Sequence, residues 1–380
     1  MRLWKKAAGA LKDQNSLWLA NTTYRSAIRN PDIEKNVIRA TAHNGLVIDP
    51  RAVDRVRRWL AISPANLKPL LWAISSRVDK TADWIVTLKS LYLIHILINT
   101  QLPSVARIGR LPFDLSGFRD GHIPQLKAWP FNGFIRAYYA FLDHKSVVVF
   151  QEKASPEKNP VARELVFIQK FQGLVDLLLQ IKPQREVASV PMIRDVMDVV
   201  IVEVREFYGR VCRGIAVILM NIYSAGRTEA TAALNLVLKA MRQGQDVISY
   251  LESCEEIGIV RESDIPVIDM IPEEGIHELR QIVEHLADEK QETVKSEFPA
   301  NQTPRKTVQR LAGEKQVTEN ARKSEPPAIN GIPEKGINNN SERQIVPQQQ
   351  LMTIITENWE KFDEEIYPHR MEELPDLIIL

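Results

Sequence analysis

Apolar side chains in "DWIVTLKSLYLIHILI" fall into two stripes at helical spacing. Trp84, Leu88, Leu91 and His95 share one face, and Ile85, Tyr92 and Ile96 share another. The same period predicts helices over 132–150, 160–182, 190–224, 228–257 and 272–288. Start signals sharpen the earlier ones. Asn30 then Pro31 is a cap followed by proline at the first helical position, and Ser63–Pro64 repeats the device before "ANLKPLLWAISSRV". Asp79 to Thr81 reads as the start of the next helix. Pro103, Pro112, Pro130, Pro183 and Pro266 read as punctuation. There is almost no strand pattern. Helices joined by short connections predict an all-α solenoid of stacked helical hairpins over residues 1–288. No fixed-period repeat is visible, so the layers are not copies of one another.

The pattern breaks after residue 288. Residues 289–350 are polar, rich in Pro, Asn and Gln, and nearly free of aromatics. Such a segment buries too little apolar area to offset its ordering entropy, and it is expected to be a disordered linker. Order-promoting residues return over 351–380, expected to be a tail of short motifs.

Charge adds an asymmetry that the net value of +1 conceals. Residues 1–150 hold 22 Lys and Arg against 10 Asp and Glu, a net of +12, which leaves −11 for the remainder. A basic front implies an anionic partner, either nucleic acid or a membrane leaflet. Cys212 and Cys254 are too few for a disulfide framework and are expected to be small core residues of a protein in a reducing compartment. The N-terminal apolar run is too short for a signal peptide. The longest apolar stretch, interrupted by Lys89, Ser90 and His95, falls short of the roughly 20 residues a membrane span needs. The expectation is a soluble protein with at most peripheral membrane contact.

Catalytic chemistry finds no foothold. There is no glycine-rich phosphate loop, no paired-cysteine metal site and no HExxH, so neither cofactor, metal nor enzymatic activity is expected. The seven histidines are scattered, and His95, in the most apolar helix, is expected to be a satisfied core residue. The better lead is "NPDIEKNVIRATAHNGLVIDPRAVDRVRRWL", a helix ending in a corner that carries Arg39, Thr41 and His43, then a second helix with Arg51, Arg55, Arg57 and Arg58. Arginines at such a corner can fork around phosphate oxygens; the plainer reading is a solvated charged face. Trp59 and Trp72 have spacings that suit a core rather than stacking on bases, and no nucleic-acid partner is expected. At the N-terminus, Leu3, Trp4, Ala7, Ala8 and Leu11 share a face, with Arg2, Lys5, Lys6 and Lys12 mostly away from it. That helix suits a lipid interface or packing back on the domain.

Together, "RATAH", "DWIVTLKSLYLIHILI" and "FDLSGFRDGH…FIRAYYAFLDHK" resemble the ANTH domain of clathrin assembly proteins, the plant type most of all, over about residues 1–285. The resemblance implies a right-handed solenoid that binds phosphatidylinositol 4,5-bisphosphate through a basic motif. Carried over by residue, the motif's first lysine falls on Arg39, with Ala40, Thr41 and His43 in register. Its second lysine falls on Asp49, which reverses the charge, its third on Arg51 and its last histidine on Ala52. The implied headgroup set is Arg39, Thr41, His43, Arg51 and Arg55, with Lys5, Lys6 and Lys12 as membrane contacts. In the tail, Trp359 and Phe362 form a W-x-x-F segment with acidic flanks that looks like an adaptor-appendage ligand, while "LMTII" and "LPDLI" approximate clathrin-box and Asp-Leu-Leu peptides. The expectation is a peripheral adaptor of clathrin-coated pits and vesicles, at plasma membrane or Golgi, that binds phosphoinositide membrane, clathrin and adaptor complexes. The alternative is a SNARE-binding solenoid with a weakened lipid site.

Overall fold

The computed structural model describes residues 2–154, 160–222, 226–261 and 276–285, apart from 23, 27 and 278; the side chains of 2–6, 153, 154 and 160 also lie outside the description. All of these residues belong to one unit, Met1–Gln302. Among the described residues nine long helices follow in order: α1 Arg2–Thr22, α2 Pro31–Ala40, α3 Pro50–Ile62, α4 Leu67–Thr81, α5 Trp84–Asn99, α6 Gln125–Ala154, α7 Pro160–Leu178, α8 Pro191–Met220 and α9 Arg227–Glu256. Short 3₁₀ turns precede α4 and follow α5, and residues 276–277 and 279–285 are again helical. Among the described residues there is no strand. Helices α1 to α3 pack in succession, as do α4 to α9; α3 and α4 meet through the 3₁₀ turn between them, and α2 also packs on α4, α5 on α8 and α7 on α9, which is the contact pattern of a solenoid of stacked hairpins.

Local sequence sets the helix ends. Asn30 Oδ1 accepts from the N–H groups of Asp32 (3.1 Å) and Ile33 (3.5 Å), with Pro31 at the first helical position. The cap of α5 is Asp83, accepting from Ile85 at 2.9 Å and Val86 at 3.4 Å; Asp79 and Thr81, expected to start that helix, complete the last turn of α4. The two helices are joined only by Ala82, in the left-handed conformation, and Asp83. Pro130 lies inside α6 rather than before it. It costs little there, because the carbonyl it leaves without an amide partner belongs to exposed Leu126 in the first turn, where water can reach it. Helix α6 therefore starts seven residues before the expected 132.

Helix α5 is the centre of the stack. It is buried on nearly every side; only Trp84, Tyr92 and Ile96 are half-buried and Asn99, at its end, is exposed. The interior it enters contains charge. Glu203 of α8 accepts from His95 Nε2 (2.7 Å), from Asn99 Nδ2 (3.0 Å) and from the Lys145 ammonium of α6, while the Tyr138 hydroxyl donates to His95 Nδ1 at 2.7 Å. His95 is thus a satisfied core histidine that ties three helices together. Burial alone would push the Glu203 carboxyl up; His95 and then Lys145 outweigh it and hold the group down to about 2. Burial pushes both His95 and Lys145 below their ordinary values against the pull of Glu203.

Further along, α7 and α9 are clasped by Gln243, which donates to the Gln172 carbonyl at 2.8 Å, and by Lys239 with Asp176 at 2.8 Å. A side chain at Gly214 would stand 2.7 Å from Ile168 Cγ1, so glycine sets the approach of α8 to α7. Cys254 is buried as expected, whereas Cys212 is exposed. Its neighbour Val211 takes the inward position, and one residue along a helix turns the side chain by about 100°.

The buried carboxylate makes acid stability predictable. Glu203 stabilises fully above the ordinary value of 4.5, and the contribution is lost as pH falls toward about 2. His95 acts with the same sign: below 6.5 the unfolded chain takes up a proton that the buried ring resists. Stability against urea is therefore expected to fall steadily from about pH 7 to about pH 3. Glu203→Gln should cost ~3–5 kcal/mol near neutrality, by leaving Lys145 buried without its counterion, and flatten the curve below pH 4.5.

Candidate functional site

The basic corner is assembled from the first four helices, through contacts between residues far apart in the chain. Helix α2 ends at Ala40, the chain turns through 41–48, and α3 begins at Pro50. Beneath the turn sits Asp13 of α1, buried against Arg77 of α4. Asp13 accepts from the His43 backbone N–H (2.8 Å), from His43 Nδ1 (2.7 Å) and from the Arg77 guanidinium. Arg77 also donates to the Thr41 hydroxyl at 3.3 Å and to its carbonyl at 3.2 Å. Burial would raise the Asp13 carboxyl; the hydrogen bond from His43 and the charge of Arg77 together hold it below the usual carboxylate range. Helix α1 reaches the histidine because residue 9 is glycine: a Cβ there would lie 2.7 Å from His43 Cβ.

A second inward fastening comes from α5. Lys89 is buried, and its Nζ donates to the carbonyls of Ala42 (2.7 Å), Asn44 (3.3 Å) and Gly45 (3.1 Å). Burial pushes this ammonium down to about 8, with Asp13 opposing the shift. In the sequence Lys89 served only to interrupt an apolar run. The signal was there: a lysine on a helix apolar all round must find acceptors or lose its charge.

The expected headgroup residues divide accordingly. Thr41 is 0% exposed and donates to the Val37 carbonyl at 2.7 Å. The His43 side chain is 8% exposed, and its Nε2 is buried with no hydrogen-bond partner among the described residues. Arg39, Arg51 and Arg55 are exposed, and none forms an ion pair with a described residue. By contrast, Arg57 and Arg58 both turn to Asp54, at 3.0 and 2.6 Å. Asp49, the acid at a position expected to be basic, is the cap of α3: its Oδ1 accepts from the Arg51 N–H at 2.9 Å. Ala52 is fully buried, so a larger ring would not fit its place without rearrangement. The structure thus brings Thr41 and His43 together inside the corner and leaves Arg39, Arg51 and Arg55 outside it.

On α1, Ala7, Ala8, Leu11 and Lys12 are exposed, and Lys12 Nζ lies 3.0 Å from His122 Nε2. Lys5 and Lys6 fall within α1, with side chains outside the described residues, and Trp359 and Phe362 lie outside them altogether. Trp59 and Trp72 are both half-buried, and the Arg29 guanidinium stands 4.4 Å above the Trp72 ring. One group of metal-ligand type, Asp83, Asp120 and His122, is engaged in loop closure: Asp83 caps α5, and Asp120 accepts from the N–H groups of Trp84, His122 and Ile123 at 2.7, 2.7 and 2.9 Å. No helix among the described residues is long and apolar enough to cross a membrane.

Removing the ammonium beneath the turn tests how the corner is held. Lys89→Met leaves three carbonyls without their donor and is expected to cost ~2–4 kcal/mol, with amide exchange accelerated over residues 42–48 more than elsewhere.

Comparison with known proteins agrees with this architecture. Residues 32–285 match the family model for the ANTH domain. Three Arabidopsis thaliana proteins named "Putative clathrin assembly protein" are similar to the chain. One is 43% identical over 288 residues, covering 74% of this chain and 77% of its own length. The others are 40% identical over 300 residues (76% and 78%) and 39% identical over 297 residues (77% and 85%). A family match over more than half of the chain, with relatives this similar over most of their length, shows that the chain belongs to the ANTH-domain family of clathrin assembly proteins.

Proposed function

We propose that the helical domain is the membrane-binding part of a clathrin-coat adaptor and that Arg39, Arg51 and Arg55 are its contacts with anionic headgroups. The observation that carries this reading is their state: three exposed guanidinium groups without carboxylate partners among the described residues, on the two helices that flank a turn fastened from within by Asp13, Arg77 and Lys89. Guanidinium forks suit phosphate oxygens, and a fixed turn loses little conformational entropy on binding. Thr41 and His43 serve as buried supports of the corner in this reading. Lys5, Lys6 and Lys12 of α1 add to the attraction. The segment around Trp359 and Phe362 would recruit adaptor-complex appendages, and clathrin would be engaged along the same tail, at coated pits and vesicles. The names of the relatives support the clathrin assignment.

Each arginine near an anionic leaflet contributes about 1 kcal/mol, so replacing all three by alanine is expected to weaken binding to acidic vesicles on the order of a hundredfold. Co-sedimentation with phosphatidylcholine vesicles, with the same vesicles carrying phosphatidylserine, and with vesicles carrying phosphatidylinositol 4,5-bisphosphate measures this. Absence of binding to every acidic vesicle rejects the reading.

Asp49 gives a gain-of-affinity test. Asparagine keeps the cap and removes the negative charge, so Asp49→Asn is expected to bind acidic vesicles several-fold more tightly at nearly unchanged stability. The gain should shrink as salt rises from about 0.15 M to about 0.5 M, where screening shortens. Equal affinity of variant and wild type would place the contact elsewhere.

A further inference from the structure

The corner carries an apolar tip that the headgroup contact does not use. Leu46 and Val47 are 47% and 53% exposed on the turn between α2 and α3. Their neighbour Gly45 has φ +80°, a left-handed conformation that suits glycine. Lys89 ties the carbonyls of Ala42, Asn44 and Gly45 to α5, so the stem cannot fold down to cover the pair. On the far side Asp49 fixes the start of α3. Two adjacent aliphatic side chains are thus held out in water, with Arg39 before them in the chain and Arg51 and Arg55 after them.

Charge says what covers such a tip. Arg57 and Arg58 are neutralised by Asp54, but Arg39, Arg51 and Arg55, the exposed cations that flank the tip in the chain, have no carboxylate partners among the described residues, so the covering surface is anionic as well as apolar. The pattern continues on α1, joined to the corner through Asp13 and His43, where Ala7, Ala8 and Leu11 are exposed beside Lys12. Apolar and basic groups spread over two elements suit an extended layered surface better than a single pocket. The interfacial zone of an anionic bilayer has that layering, with phosphates above acyl chains.

We propose that Leu46 and Val47 form a wedge that enters the interfacial layer of an anionic membrane while Arg39, Arg51 and Arg55 hold its phosphates. The inference rests on the membrane reading above and adds a component of binding that salt does not screen. The wedge makes Lys89 a positioning residue, since it sets how far the tip stands out.

The test uses the full chain. In a Cys212→Ser background, which removes the exposed thiol, Val47→Cys is labelled with a polarity-sensitive nitrobenzoxadiazole probe. Ile62→Cys, at the opposite end of α3 and also exposed, carries the same probe as control. With phosphatidylcholine–phosphatidylserine vesicles, the probe at 47 is expected to shift to the blue, brighten several-fold and be quenched by lipids spin-labelled near the headgroup, while the probe at 62 stays aqueous. The double variant L46S/V47S, with an unchanged melting temperature, should bind roughly tenfold more weakly and lose the fraction that wild type keeps bound at high salt. A probe at 47 that stays aqueous while the protein sediments with vesicles overturns the wedge and leaves the membrane reading standing, as does unchanged binding by L46S/V47S. Failure to sediment with any acidic vesicle removes both. A blue shift on adding purified clathrin without vesicles would reassign the tip to a protein partner.

Discussion

A single buried carboxylate organises the front of this domain. Asp13 lies on α1, yet the groups that satisfy it come from the turn after α2 and from α4. Neither partner is near it in sequence. Once Asp13 is buried it must be paired, because an uncompensated charge in the interior costs several kcal/mol, on the order of a large part of the stability of a domain. The pairing then dictates geometry. Helix α1 can reach His43 only where Gly9 removes the obstructing side chain, and Arg77 can serve Asp13 only while it also holds Thr41. A buried ion pair stabilises little compared with a well-packed apolar contact; its effect is to make shifted packings of the same helices costly.

The same logic recurs one layer on. Glu203, Lys145 and His95 fasten α8, α6 and α5 as Asp13, Arg77 and His43 fasten α1, α4 and the turn. Helix α5 belongs to both regions, with Lys89 facing the turn and His95 facing Glu203. Polar groups that interrupt its apolar surface are therefore the points at which neighbouring hairpins are registered. This explains how so apolar a helix comes to hold both Lys89 and His95.

Much of the fold was legible in the sequence because it rests on local rules. The 3.6-residue period and Asn30 before Pro31 located helices without knowledge of their neighbours, whereas Ser63 before Pro64 starts a 3₁₀ turn, Pro64–Asn66, and α4 itself begins only at Leu67. Errors arose where two local signals competed. Asp79, Thr81 and Asp83 are all acceptable caps, and only the left-handed Ala82 decides for Asp83. Pro130 is a helix breaker in general and harmless in a first turn and a half whose carbonyl faces water. The candidate site was less legible. That "RATAH" turns Arg39 outward and Thr41 and His43 inward depends on Asp13 and Arg77, 30 and 34 residues away from His43. Spacing within the motif carries no trace of those contacts.

The division of labour within that motif bears on selectivity. A phosphoinositide cradle needs several cations converging on one headgroup, but here Asp49 is committed to capping, Ala52 is buried, and Asp54 draws in Arg57 and Arg58. What remains outside is a sparse set of three arginines flanking an apolar tip in the chain. In the proposed membrane contact such a set would read charge density and lipid packing rather than one headgroup, through contacts that are each weak and exchangeable. A weak domain can still hold a membrane if the rest of its chain is held there too. Tail motifs bound to coat components already on the membrane would raise the local concentration of the domain to the millimolar range, where ~1 kcal/mol per contact is enough. In the proposed adaptor, loss of a strict headgroup site is therefore compatible with recruitment, because selectivity shifts from the lipid alone to the coincidence of lipid and coat.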